Sequence, residues 1–103
     1  MQRFENKVVL VTGAGSGIGR ASAVRLAAEG GKIWCTDINE TELNTLVDEI
    51  AAGGGAATAY RFDISEVGAA ERCVEACVAQ YGGVDAVVNM AGILRFSNCH
   101  ELD

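Results

Sequence analysis

The sequence predicts an α/β fold: a doubly wound parallel sheet with helices on both faces. Three observations carry this reading. Short apolar runs alternate with amphipathic helical stretches, glycine pairs and triplets punctuate them, and a glycine-rich segment separates the first run from the first helix. Strand and helix alternating through short connections imply right-handed crossovers and parallel strands.

The first strand is Lys7 to Thr12, a nearly continuous apolar run of the kind that suits a strand buried on both faces. The helix that follows spans Gly17 to Glu29. Ala23, Leu26 and Ala27 form its apolar side, Ser22, Arg25 and Glu29 its polar side, and Gly30-Gly31 stop it. Ile33 to Thr36 is the second strand, closed by Asp37. Asn39 and Glu42 have the spacing of a capping box, with Asn39 as N-cap and Glu42 reaching back. Leu43, Leu46, Val47 and Ile50 then mark one face of a helix that ends at Gly53-Gly54-Gly55.

Ala57 to Phe62 is the third strand. Ser65 is the expected N-cap of a third helix with the stripe Val67, Ala70, Val74, Cys77, Val78 and Tyr81, which puts Cys77 in the core and Cys73 at its margin. Gly82-Gly83 ends that helix, and Val84 to Asn89 is the fourth strand. Reversal after the third strand gives a Rossmann-type sheet of order 3-2-1-4. Ligands bind such sheets beyond the carboxyl ends of the strands, at the switch between strands one and four.

At 103 residues, 50% apolar and 21% charged, the chain has the composition of one globular domain rather than of a disordered tail. A net charge of −6 argues against nucleic acid, whose phosphates need a basic face, and against a polybasic membrane anchor. The run Val8 to Val11 is too short for a signal-peptide core or a membrane span, so a cytoplasmic location with reduced thiols is expected. Cys35, Cys73, Cys77 and Cys99 lack CxxC spacing, and His100 is the single His, so no metal site is expected. The cysteines read as small buried hydrophobes.

Thr12-Gly13-Ala14-Gly15-Ser16-Gly17-Ile18-Gly19 occupies the place of a phosphate loop, between strand and helix. Glycine lets the backbone approach a ligand closely, and the helix N-terminus offers free N–H groups and a positive dipole end. The segment is neither a Walker loop nor GxGxxG; it fits TGxxxGxG through Thr12, Gly13, Gly17 and Gly19. Asp37 closes the second strand about 20 residues further on, where a carboxylate accepts hydrogen bonds from the adenosine ribose hydroxyls and repels a 2′-phosphate. Neither Ser16 nor Ile38 is a cation that would neutralise that phosphate, so NAD(H) is favoured over NADP(H). Asp37 could instead cap the next helix, but Asn39 already supplies that cap.

Together these residues resemble the short-chain dehydrogenase/reductase (SDR) family, in its classical NAD-dependent branch, over almost the whole chain. Thr12 to Gly19 looks like the family's cofactor loop, with Gly13, Gly15, Ser16, Gly17, Ile18 and Gly19 as contacts. Phe62-Asp63-Ile64-Ser65 is similar to its third-strand motif, which implies Asp63 at the adenine amino group with the Ile64 backbone assisting. Val88-Asn89-Met90-Ala91-Gly92 resembles the Asn-Asn-Ala-Gly motif, which implies Asn89, Ala91 and Gly92 beside the cofactor; Met90 departs from the pattern. Without the resemblance, Asp63 reads equally well as a helix cap.

The family's chemistry uses a Ser, a Tyr-x-x-x-Lys pair and a supporting Asn from later in the chain. Here the Lys position after Tyr60 is Ile64 and after Tyr81 is Asp85, and the last Lys is Lys32. Asn98 follows Gly92 too soon to be the supporting Asn, and His100 reads as a surface residue. No catalytic residue is carried over. The expectation is that residues 1–103 form the N-terminal, NAD-binding portion of an oxidoreductase interconverting an alcohol and a ketone, with the catalytic half absent and the chain alone inactive. A small alcohol or ketone would then be a partner only of a full-length form. The competing readings are a non-catalytic dinucleotide-binding module complete at this length and, disfavoured by the loop and Asp63 together, a methyltransferase-like Rossmann enzyme. An apolar fourth strand at the sheet edge, followed by Ile93-Leu94-Arg95-Phe96, predicts self-association.

Overall fold

A computed structural model describes residues 5–15, 17–63 and 65–89. Among these described residues seven elements follow one another: β1 (Val8–Thr12), α1 (Gly17–Ala28), β2 (Lys32–Asp37), α2 (Glu40–Ala52), β3 (Ala56–Arg61), α3 (Ala69–Tyr81) and β4 (Ala86–Asn89). The strands form one parallel sheet in the order β3-β2-β1-β4, as expected. Register sets Leu10 beside Trp34 on one side and Val87 on the other, so side chains two apart share a face.

That alternation divides the core in two. Val9, Val11, Ile33 and Cys35 pack with Ala23 and Ala27 of α1 and Leu43, Leu46 and Ile50 of α2. Val8, Leu10, Trp34 and Phe62 pack on the other face with Ala69, Cys73 and Cys77 of α3. Every residue of β1 is buried, which is why its sequence reads as an unbroken apolar run. Two helices cover one face and one covers the other, with Ala86 and Val88 turned to the first and Val87 to the second.

Several boundaries differ from the sequence reading. β2 gains a residue at each end, and β3 runs one residue earlier, with Phe62 still donating its N–H to Asp37 O at 3.0 Å. β4 begins at Ala86, not Val84, because Asp85 turns in to close the start of β1. Its carboxylate accepts the Val8 N–H at 2.8 Å while its own N–H reaches Val8 O at 2.8 Å.

The third helix is the main correction. Gly68, in the left-handed region at φ 77°, is its N-cap residue, and Ser65 lies upstream. Val67 belongs to the preceding turn and is 95% exposed. Arg72 steadies that turn by donating to Val67 O at 3.1 Å. The buried stripe is therefore Ala69, Cys73 and Cys77, spaced at i, i+4 and i+8, and Cys73 is fully buried rather than marginal. On the same face Trp34 stacks at a tilt on Tyr60 and edge-on to Tyr81, whose hydroxyl pairs with Thr58 at 2.8 Å. Trp34 Nε1 makes no well-formed hydrogen bond and leans on the Cys73 sulfur.

Candidate cofactor site

The site lies at the carboxyl end of the sheet, where β1 passes into α1. Thr12 closes β1 and Thr36 is the penultimate residue of β2, both buried polar residues, and Thr36 Oγ1 donates to Val11 O at 3.0 Å. Beyond β1 the chain stays fastened to β2 by two successive N–H groups. Ala14 N donates to Thr36 O at 2.9 Å, continuing the ladder, and Gly15 N donates to Asp37 Oδ2 at 2.9 Å.

The loop glycines answer to different constraints. Gly17 opens α1 at φ +59° with nothing near a would-be Cβ, so conformation alone selects glycine there. Gly15 and Gly19 are selected by space. A Cβ on Gly15 would lie 2.8 Å from Asp37 Oδ2 and 3.0 Å from Glu42 Cβ, and one on Gly19 would collide with the Gly13 carbonyl oxygen.

The two helices at this end differ in what their N-termini can take. α2 is filled by its own chain: Asn39 Oδ1 accepts the Glu42 N–H at 3.0 Å, and Glu40 and Glu42 add negative charge to the first turn. α1 has no acidic residue in its first turn. That first turn carries no negative side chain to oppose an anion at the positive dipole end.

Asp37 does more than its position in sequence suggested. Its Oδ1 accepts the Asn39 N–H at 3.1 Å while Oδ2 holds Gly15. Asn39 caps α2 as expected, but its own N–H goes to Asp37 rather than to Glu42, so the reciprocal half of the capping box is replaced. Ile38 is half exposed beside Asp37, and Ile18 on α1 is 71% exposed.

Asp63 follows β3 and does not cap α3. Its Oδ1 accepts the Ser65 hydroxyl at 2.7 Å and the Ser65 N–H at 2.9 Å. The hydroxyl first, then the backbone N–H, holds its carboxyl below the usual carboxylate range, with the Arg61 charge assisting. Asn89 ends β4 in register with Thr12. Gly13, Gly15, Gly17, Ile18, Gly19, Asp37, Ile38, Asp63 and the Asn89 backbone thus gather at the carboxyl ends of the strands. Ser16, Ile64, Ala91 and Gly92 lie outside the described residues, as do Met90, Ile93 to Phe96, Asn98, Cys99 and His100.

Two cations escaped the sequence reading. Arg20, one residue past the loop, ties α1 to α2 through Glu49 Oε1 at 2.7 Å and Glu42 O at 3.4 Å. Arg61 is register-paired with Asp37 on the neighbouring strand, a proximity visible only once the sheet is assembled. Among the described residues no group of three or more His, Cys, Asp or Glu gathers to hold a metal. No helix among them is long and apolar enough to cross a membrane.

A parallel sheet of order β3-β2-β1-β4 with a glycine loop at the carboxyl end of β1 defines a Rossmann-type α/β protein. The family model described as short chain dehydrogenase matches residues 7–103. The chain belongs to that family. A short chain dehydrogenase of Pseudocercospora fijiensis is 45% identical over 93 residues, which is 90% of this chain and 30% of the relative. Cyclohexanol dehydrogenase of Acinetobacter sp. (strain SE19) is 41% identical over 99 residues, 96% of this chain and 39% of the relative. Among solved structures, a 7α-hydroxysteroid dehydrogenase in complex with NADH and 7-oxo glycochenodeoxycholic acid superposes with a TM-score of 0.82 at 36% identity. That match covers 85% of this chain and 34% of the other. The chain therefore spans about a third of the length of each.

Proposed function

We propose that the chain forms the NAD(H)-binding portion of a short-chain oxidoreductase that interconverts an alcohol and a ketone. The observation that carries the reading is the Asp37 carboxylate, 2.9 Å from the Gly15 N–H at the lip of the glycine loop. The fit to a dinucleotide rests on open backbone at Gly17, a first turn of α1 free of acidic side chains, and a carboxylate at the end of β2. The relative solved with NADH supports the choice of cofactor.

In this reading the loop and the α1 N–H groups hold the pyrophosphate, Asp37 accepts the adenosine ribose hydroxyls, and Asp63 accepts from the adenine amino group. Ser65 keeps Asp63 ionised, hence an acceptor only. Ile18 and Ile38 present apolar surface to the ligand. The nicotinamide cofactor supplies the hydride acceptor or donor when bound, and this chain binds and orients it. The location that goes with this reading is the cytoplasm. The outer edge of β4 is the surface that favours association.

Isothermal titration with NAD+ and NADP+ tests the cofactor choice. Asp37→Ala combined with Ile38→Arg removes the charge that repels a 2′-phosphate and adds one that attracts it. The NADP+ to NAD+ affinity ratio is expected to rise at least about tenfold, roughly 1.4 kcal/mol. An unchanged ratio would overturn the assignment. The chain contains no Tyr-x-x-x-Lys, so the purified chain is expected to bind cofactor without reducing it in the presence of a secondary alcohol. Sustained appearance of NADH absorbance would refute that expectation.

A further inference from the structure

We infer that Asp37 is also a positioning residue for the glycine loop, so that one carboxylate ties the ribose-reading and pyrophosphate-holding parts of the site together. The inference rests on the dinucleotide reading proposed above and adds a role that ribose recognition does not require.

Asp37 spends both oxygens on backbone N–H groups of the chain itself, Gly15 at 2.9 Å and Asn39 at 3.1 Å. The Gly15 bond spans 22 residues and follows directly on the Ala14 to Thr36 bond. The loop thus hangs on β2 by two consecutive donors, one received by main chain and one by a side chain. Space around Gly15 is fitted to that carboxylate, because a Cβ there would lie 2.8 Å from Oδ2 and 3.1 Å from Cγ. Glu42 Cβ, at 3.0 Å from the same point, blocks retreat toward α2.

A carboxylate offers about four lone-pair sites, so two N–H donors leave room for ribose hydroxyls to join. Ribose binding then adds to the loop contact rather than replacing it. A nucleotide without those hydroxyls should still depend on Asp37, through the position of the Gly15 N–H. If Asp37 only read the ribose, that nucleotide would be indifferent to its loss.

The test compares ADP with 2′,3′-dideoxy-ADP by isothermal titration, using the unsubstituted chain, Asp37→Ala and Gly15→Ala. Backbone amide exchange of the free chain is followed by NMR at Gly15, Leu10 and Ile33. Asp37→Ala is expected to weaken both nucleotides, the dideoxy form by about fivefold, the worth of one hydrogen bond. Gly15 exchange should quicken severalfold, with Leu10 and Ile33 in the core unchanged. Gly15→Ala, which displaces the carboxylate while leaving Asp37 in place, should reproduce the loss for both ligands. Dideoxy-ADP binding unaffected by Asp37→Ala, or Gly15 exchange unaltered, would overturn the positioning role. Quickened exchange at Leu10 and Ile33 would overturn it too, by making Asp37 a residue of general stability. Failure of the unsubstituted chain to bind ADP would overturn the dinucleotide reading instead, while Gly15 exchange still decides the loop contact.

Discussion

Gly19→Ala is expected to abolish the nucleotide binding proposed above and to lower the melting temperature by several degrees. The added methyl meets the Gly13 carbonyl, which is main chain in the loop itself and has no flexible end to swing aside. Either α1 retreats from the sheet or the loop moves off β2. Retreat opens space beside Ala23 and Ala27, whose small side chains bring α1 close to the sheet. Loop movement strains the Ala14 and Gly15 bonds to β2. Ala is intrinsically better than Gly inside a helix by about 1 kcal/mol, but forcing a methyl into packed structure costs about 1–3 kcal/mol or more. The steric term wins, and each kcal/mol lost lowers the melting temperature by about 4–8 °C in a domain of this size. Gly83→Ala is the control, because a Cβ there meets nothing within 4 Å and its φ is not positive. Thermal melts by circular dichroism and titration with NAD+ measure both effects. A Gly19→Ala chain that melts and binds like the parent would show that the close approach of α1 to the loop is dispensable.

How far the sequence reaches is clearest at the two ends of the same site. β1 and the order of the sheet were legible because burial on both faces leaves an apolar run, and the glycine spacing marks the turn after it. α2 was legible because Leu43, Leu46 and Ile50 are buried at the spacing their periodicity demands. The start of α3 was not. Ser65 resembles a cap and Val67 extends the apolar stripe, yet the helix starts beyond Gly68, whose positive φ no pattern of side chains announces. Once the start moved, the buried face rotated and brought Cys73 fully inside.

The second role of Asp37 was hidden for a different reason. Sequence shows a carboxylate after a strand, but its partners are backbone N–H groups of Gly15 and Asn39, which carry no letter of their own. The capping box failed in half for the same reason. Asn39 N–H was already taken, and Glu42 instead contributes its Cβ to the wall against Gly15. Arg61 became relevant only through strand register. What sequence conceals here is main-chain geometry, and the candidate cofactor site is built largely of main chain.

Above about pH 9 the fold is expected to lose stability steeply, and the thiols are the cause. Burial pushes Cys35 up to about 12, Cys73 up to about 11 and Cys77 up to about 12, from an ordinary 9.0. The indole of Trp34 pulls Cys73 slightly the other way, and the neighbouring Cys73 adds to the rise at Cys77. All three are free and buried, so they pack as small neutral groups. Cys77 Sγ donates weakly to Gly83 O at 3.9 Å, and Cys35 Sγ to Ile33 O at 4.0 Å. Unfolding returns each thiol to its ordinary value. Between about pH 9 and about pH 11–12 the unfolded chain therefore binds fewer protons than the folded one, and stability falls as pH rises. Below pH 9 the contribution is fully present. Each thiol adds a slope of about 1.4 kcal/mol per pH unit, and three together about 4, against a total of about 5–15 kcal/mol for a typical domain. Urea unfolding from about pH 8 to about pH 10 reads the slope directly. Cys35→Ala and Cys73→Ala should each start from a lower stability yet lose less of it over that range, by about 1.4 kcal/mol in total. Equal slopes in parent and variants would assign the alkaline loss to other groups and remove the thiols from the account.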